Sequence, residues 1–417
     1  MEIEKHHDRD TSNSKSWSEL PPELLDLVFK RLTMADFQRA KSVCSSWLSS
    51  SRQSVPRNNN QMIPWLILFP KDVENNPCLL FNPEEKDKLY RTRREEADLG
   101  SEFAKSFCIA TCGNWLLMRD PLFTLYIVNL FTHEIIRLPP VETQLGTMKI
   151  ERMRDDGDLE FRVTCDSGKV YKHKKGSLRL QSSLLWIDEK TRDYIVVWGL
   201  VERHCCVVYC KNGDTSWNQI PETLDCCDMV YKDSKLYFLS SSCGFIIFDM
   251  MIPFPFPPQV TFQCSVYVCK NRCRCSEYVE RDRCRHGYRQ SVAATMIVVT
   301  VTGQVLKVEK ISGIHSRTWS FRVYKVYSSG SVEKIDSLGD EALLLDQGIT
   351  VLANDTNGLV RNSIYFSYPC ADTIFCVFNL EEQKMELLHR FDSSSSSSVD
   401  QFSRGRWFLP SFTQPSC

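Results

Sequence analysis

The chain has 417 residues, 42% hydrophobic and 25% charged, and 51 basic residues against 52 acidic ones leave a net charge of -1. That length holds a sizeable core and more than one small domain, and near-neutrality gives no global pull toward nucleic acid or a membrane surface. The start MEIEKHHDRDTSNSK is polar, and no apolar run approaches the ~20 residues that span a bilayer, so the expectation is a soluble protein of the cytoplasm and/or nucleus with no membrane partner.

Residues 1–15 are too polar to offset the entropy of ordering and are expected to be disordered. Residues 16–54 read as helical. Pro21 and Pro22 suit a helix start, because the N–H that proline lacks would be unpaired there. Glu23 and Asp26 sit early and Lys30 and Arg31 late, both favourable to the helix dipole. Leu24, Leu25, Val28, Phe29 and Leu32 recur at helical spacing and form one broad apolar face. A second helix is predicted from Thr33, with Asp36 as capping-box acid and Phe37, Ala40, Val43, Cys44 and Trp47 on one face. Two short helices cannot bury all this apolar surface against each other. The remainder needs a partner, either the rest of the chain or another protein.

The order and spacing of Leu20-Pro21, Leu24-Leu25, Val28-Phe29, Arg31-Leu32, Asp36, Arg39, Val43-Cys44 and Trp47 resemble an F-box. The resemblance implies docking on a Skp-type adaptor, which bridges to cullin and RING subunits of a ubiquitin ligase. Leu20, Pro21, Leu24, Leu25, Val28 and Phe29 would make the first contacts, with Leu32, Val43, Cys44 and Trp47 packing the later ones.

A polar linker is expected over 55–63. From residue 64 to 412 short apolar runs of period two alternate with turn residues, which reads as all-β. A hairpin unit recurs at Tyr126–Pro140, Val207–Glu222, Phe321–Gly339 and Phe375–Phe391, and Met229–Met250 adds a pair with turns near Lys232–Ser234 and Ser240–Gly244. Repeated hairpins over ~350 residues suit a β-propeller of six to eight blades at ~40–50 residues each, against the alternative of packed β-sandwiches. Trp65-Leu66-Ile67-Leu68-Phe69 and Trp407-Phe408-Leu409 lack local partners and are expected to share one blade, closing the ring. The fold class is therefore α+β multidomain, a small helical domain followed by a large all-β domain.

The β region is similar to plant F-box proteins with a KIB-type, kelch-like propeller. The resemblance rests on Pro64 to Leu68, Tyr126 to Pro139, Leu338-Gly339-Asp340 with Ala342 to Leu344, Asn362 to Phe366, and Val377 to Leu380. The sequence departs from that pattern over Ala353–Asn362 and around Tyr267–Arg289.

Signatures of phosphate loops, dinucleotide folds, metalloproteases and nucleophile elbows are missing, and the eight histidines are dispersed. The nineteen cysteines are expected as thiols, most of them small buried hydrophobes. One Cys/Arg-rich segment, 264–289, holds Cys269, Cys273, Cys275, Cys284 and His286, whose donor types suit zinc but whose spacing lacks a CxxC knuckle. Its arginines would also activate a thiol. The simplest reading is an insertion loop with no metal, and nucleic-acid binding is not favoured. Ser393–Ser398 reads as a flexible loop. The expected function is a non-catalytic substrate receptor, with no cofactor, that carries an unknown target protein to a ligase. The rivals are a metal- or redox-sensing module on the Cys264 to His286 segment and a propeller enzyme with a vestigial F-box.

Overall fold

In the computed structural model the described residues are 17–32, 34–41, 43–51, 64–70, 78–83, 88–91, 103, 105–155, 158–201, 205–240, 244–251, 258–263, 290–313, 319–353, 359–366, 375–389 and 402–410. Segments 264–289 and 393–398 lie outside them. The chain divides into two compact units, Met1–Met62 and Ile63–Pro415.

The first unit is helical. A 3-10 turn at Trp17–Glu19 precedes α1 (Pro22–Phe29), α2 (Met34–Ala40) and α3 (Ser45–Ser51). The predicted second helix is thus two. Its apolar positions keep helical spacing across the break, so periodicity does not see it. The anchoring of α3 explains it. The Ser46 hydroxyl donates to the carbonyl of Ser18 (2.8 Å) and the Trp47 indole to that of Trp17 (2.9 Å). Serine hydroxyls compete with helix bonding and favour helix ends.

The second unit is built from strands. Among the described residues they group into six four- or five-stranded blades and one three-stranded insertion. Blade 1 runs Phe402–Phe408, Trp65–Pro70, Leu79–Phe81, Leu89–Arg91 from the inside out. Its two inner strands pair antiparallel, Leu66 opposite Trp407 and Leu68 opposite Gly405. The two partnerless apolar runs of the sequence therefore do share a blade. Blade 2 comprises Phe107–Cys112, Trp115–Arg119, Leu125–Asn129 and Ile135–Arg137. Blade 3 comprises Leu180–Ile187, Tyr194–Leu200, Val208–Lys211 and Trp217–Gln219, with Gln144–Leu145 added in parallel at its outer edge. The insertion, Lys149–Asp155, Asp158–Thr164 and Val170–Lys174, lies between blades 2 and 3 in sequence.

Blade 4 is Cys226–Lys232, Lys235–Ser240, Gly244–Asp249 and Pro258–Gln263. Blade 5 is Gln290–Val299, Val305–Gly313, Trp319–Val326 and Val332–Ile335. Blade 6 collects Ile349–Leu352, Glu341–Leu344, Ser363–Tyr365, Phe375–Asn379 and Lys384–His389, joined to blade 5 through Val299 opposite Ile349. Three of the four recurring hairpins of the sequence are the outer strand pairs of blades 2, 5 and 6, and the fourth lies in blade 3 just inside the added Gln144–Leu145.

Blades pack face to face, so a middle strand is covered on both sides. Every residue of Tyr194–Leu200 and of Trp115–Arg119 is buried. The apolar clusters lie between blades. Trp115, Phe123, Phe161, Trp198 and Trp217 join blades 2 and 3 with the insertion. Val197, Phe238 and Phe248 join 3 to 4. Val230, Phe245 and Val299 join 4 to 5, and Phe321, Leu343 and Phe378 join 5 to 6. Leu66, Leu344, Tyr365 and Trp407 close the ring between 6 and 1.

Candidate functional site

In the helical unit, Pro21 has φ -55° and ψ 145°, the extended conformation of an N-cap, and Pro22 occupies the first helical position. One turn on, Leu25 and Phe29 point inward. With Phe37 and Ala40 they form the core of this unit, and Leu20, Leu32 and Trp47 pack against it. The Phe29 ring meets Phe37 and Trp47 edge-on, with centroids 5.4 and 5.6 Å away.

The ten sequence-predicted docking residues therefore divide. Leu25 and Phe29 are fully buried in their own unit; Leu20, Val28, Leu32, Cys44 and Trp47 are half-buried; Pro21, Leu24 and Val43 are exposed. Leu24 is 48% exposed and Val43 58%. Leu27 (55%) and Leu48 (41%) are also exposed, and the sequence reading missed both. Leu24 and Leu27 are three residues apart and so share one face of α1. The signal was an apolar residue lying off the main stripe in a helix that had already filled it. Hydrogen bonds from the Ser46 hydroxyl and the Trp47 backbone hold the half-buried Cys44 thiol below its usual pKa. The ion pairs Lys30–Asp26 (2.6 Å) and Arg39–Asp36 (2.8 Å) are solvent-facing and contribute little.

In the propeller, the inner strands enclose a cavity of about 1100 Å³ lined from several blades. Its polar groups stitch one blade to the next. The Ser183 hydroxyl donates to Ile109 of blade 2 (2.8 Å), and the Gln181 amide to Cys227 of blade 4 (3.1 Å). Asp228 of blade 4 accepts from the Ser182 hydroxyl of blade 3 and the Ile297 N–H of blade 5, both at 3.0 Å. Burial outweighs these bonds and pushes its carboxyl up to about 6. The Thr111 hydroxyl donates to the carbonyl of Trp407 (3.2 Å), tying blade 2 to the closing strand. Arg406, whose Nε is buried without an acceptor among the described residues, adds positive charge to the same wall. These groups hold the channel together by neutral and charge-assisted hydrogen bonds, and no nucleophile–base pair is formed by the contacts just described.

Cys269, Cys273, Cys275, Cys284 and His286 lie outside the described residues. Among the described residues no group of three or more His, Cys, Asp or Glu side chains could hold a metal ion, and no helix is long and apolar enough to cross a membrane.

The F-box domain family matches residues 17–58, and the KIB1-4 beta-propeller family matches residues 80–390. The chain is an F-box protein with a KIB1-4 β-propeller. Three Arabidopsis thaliana proteins whose names describe them as F-box proteins, At4g22180, At4g22165 and At1g69090, are 54%, 51% and 39% identical to it. The alignments cover 96%, 99% and 96% of this chain and 95%, 99% and 93% of those proteins. Among solved structures, a dihydro-heme d1 dehydrogenase NirN aligns over 94% of this chain and 92% of its own at a TM-score of 0.33 and 9% identity, a level that carries no functional argument. F-box propeller proteins are typically non-catalytic adaptors, and an F-box implies binding to a Skp-type adaptor.

Proposed function

We propose that this F-box protein is the substrate-receptor subunit of an SCF-type ubiquitin ligase in the cytoplasm and/or nucleus. The N-terminal helices, over about residues 16–54, dock a Skp-type adaptor and through it cullin and RING subunits. The propeller, over about 64–412, receives a target protein. The observation that carries the reading is the exposure of Leu24, Leu27 and Val43 on a unit whose own core is already filled by Leu25, Phe29, Phe37 and Ala40. Exposed leucines in a row on a small helical unit are an interface waiting for a partner. The buried set shapes the docking helices, and the exposed set, with Pro21, makes the contacts.

The mechanism on this reading is proximity. Holding a target beside a ubiquitin-loaded enzyme raises the effective concentration of one for the other without new chemistry in the receptor. The inter-blade bonding of Asp228, Ser182 and Gln181 supports a scaffold role for the channel.

The test is co-purification with a recombinant Skp-type adaptor. Leu24→Asp with Val43→Asp changes exposed positions, so the variant should fold. It is expected to lose the adaptor entirely while wild type retains it at one-to-one stoichiometry. Wild-type recovery of adaptor by the double variant would overturn the reading.

A further inference from the structure

Two buried thiols lie closer together than sulfurs in ordinary contact. Cys165 and Cys205 are 1% and 2% exposed, and their Sγ atoms are 2.6 Å apart, against about 2.05 Å in a formed disulfide. They come from different parts of the fold. Cys165 follows the middle strand of the three-stranded insertion (Asp158–Thr164), and Cys205 precedes the third strand of blade 3 (Val208–Lys211). Both belong to the apolar cluster that joins the insertion to blades 2 and 3. Cys165 opens a tight turn: its carbonyl accepts from Gly168 N–H (2.9 Å) and its N–H donates to Lys169 (2.8 Å). Asp166 and Ser167 of that turn are exposed, so the pair sits one residue below solvent.

We propose that Cys165 and Cys205 form a reversible disulfide that locks the insertion onto blade 3. The oxidant class is a small hydroperoxide, able to reach a site that a bulky disulfide reagent cannot. One thiolate attacks the peroxide O–O bond, which gives a sulfenic acid and releases water. The second thiol then attacks that sulfur; the S–S bond forms, the S–O bond breaks, and a second water leaves with the proton. The sum is two thiols and one hydrogen peroxide to one disulfide and two waters. A dithiol reductant reverses it. Neighbouring Cys206 is the natural competitor.

The experiment uses the full chain, reduced, then exposed to equimolar hydrogen peroxide, alkylated and digested with trypsin. The expected product joins Val163–Lys169 to His204–Lys211, and fragmentation assigns the bond to Cys205 rather than Cys206 or Cys210. Cys206→Ala should form it in the same yield, and Cys205→Ala should lose it. The bond closes a loop of about forty residues, so the oxidised protein should melt about 5 °C higher. Alkylation of both cysteines after peroxide treatment of wild type overturns the proposal without any variant. A cross-link that persists in Cys205→Ala, or that maps to Cys206, overturns it too.

Discussion

Leu66 lies directly opposite Trp407 in antiparallel register, so the first strand of the propeller is paired to the last one described. The Trp407 side chain is 1% exposed, stands edge-on to Tyr365 at 5.5 Å, and donates its indole N–H to the carbonyl of Phe366 (3.2 Å). One residue therefore ties the seam of blade 1 to the face of blade 6. Trp407→Ala is expected to destabilise the protein by about 3–5 kcal/mol, from the cavity and the orphaned carbonyl together. Removing residues 404–417 should go further and expose a strand edge, giving aggregation or loss of cooperative unfolding. Guanidinium melts and light scattering read both; a monomeric truncation with an unaltered melt would show that the seam does not depend on this strand.

Gly348 predicts a second weak point. It ends a 3-10 turn (Leu345–Gln347) at φ 66°, and an added Cβ would stand 2.2 Å from Cγ2 of Val230 and 3.2 Å from the carbonyl of Ile297. Strain of the left-handed backbone and overpacking should together cost Gly348→Ala at least about 2 kcal/mol. Val230→Ala removes the nearest atom. In a double-mutant cycle the pair is expected to be less unstable than the sum of its members, and strict additivity would count against the steric account.

In the helical unit, neighbouring leucines should behave oppositely. Leu25→Ala opens the core and should cost about 2–5 kcal/mol of stability. Leu24→Ala, at an exposed position, should stay within about 0.5 kcal/mol of wild type yet weaken adaptor binding. Thermal denaturation alongside calorimetric titration with the adaptor separates the two effects. Equal destabilisation by both would remove the distinction between core and contact residues.

Asp228 should make stability depend on pH. Its carboxyl is raised to about 6 in the folded protein, chiefly by burial, against about 4 in an unfolded chain. The folded state thus holds the proton more tightly. The associated stability is present below about pH 4 and is lost as pH rises through about 6. Asp228→Asn removes the titration and keeps an acceptor for Ser182 and Ile297. Relative to wild type the variant should gain up to ~3 kcal/mol between pH 4 and pH 8, with less where the channel admits water. A stability difference that stays flat across that range would sink the assignment.

The sequence was most legible where strands alternate and turns are tight. The hairpins around Tyr126–Pro140 and Val207–Glu222 sit toward the outside of their blades, where one strand is half-wet, and the polar face survives in the pattern. Inner strands were harder to read. In Leu180–Ile187 the residues Gln181, Ser182 and Ser183 face neighbouring blades across the channel and carry polar groups for that purpose. The insertion escaped notice because it is heavily charged: Glu151 and Arg152 of its first strand are exposed, while Ile150, with Met148 just before the strand, anchors that end in the core. At the helical site the apolar stripe was visible from spacing. Which of its members face inward was not, because that depends on where α3 brings Trp47. The closeness of Cys165 and Cys205 had no local signal at all, since they are forty positions apart in sequence with three strands between them.

The pairing of Leu66 with Trp407 also sets an order of events during synthesis. The helical unit emerges from the ribosome first and consists of local contacts, so it can mature early. The propeller cannot. Its earliest strand, Trp65–Pro70, must wait for Phe402–Phe408, and until then its inner edge and the buried faces of Leu66 and Leu68 remain open to any other chain. Nearly all of the β-strands are made during that interval, which makes the nascent propeller a client for chaperones until its last strand is in place.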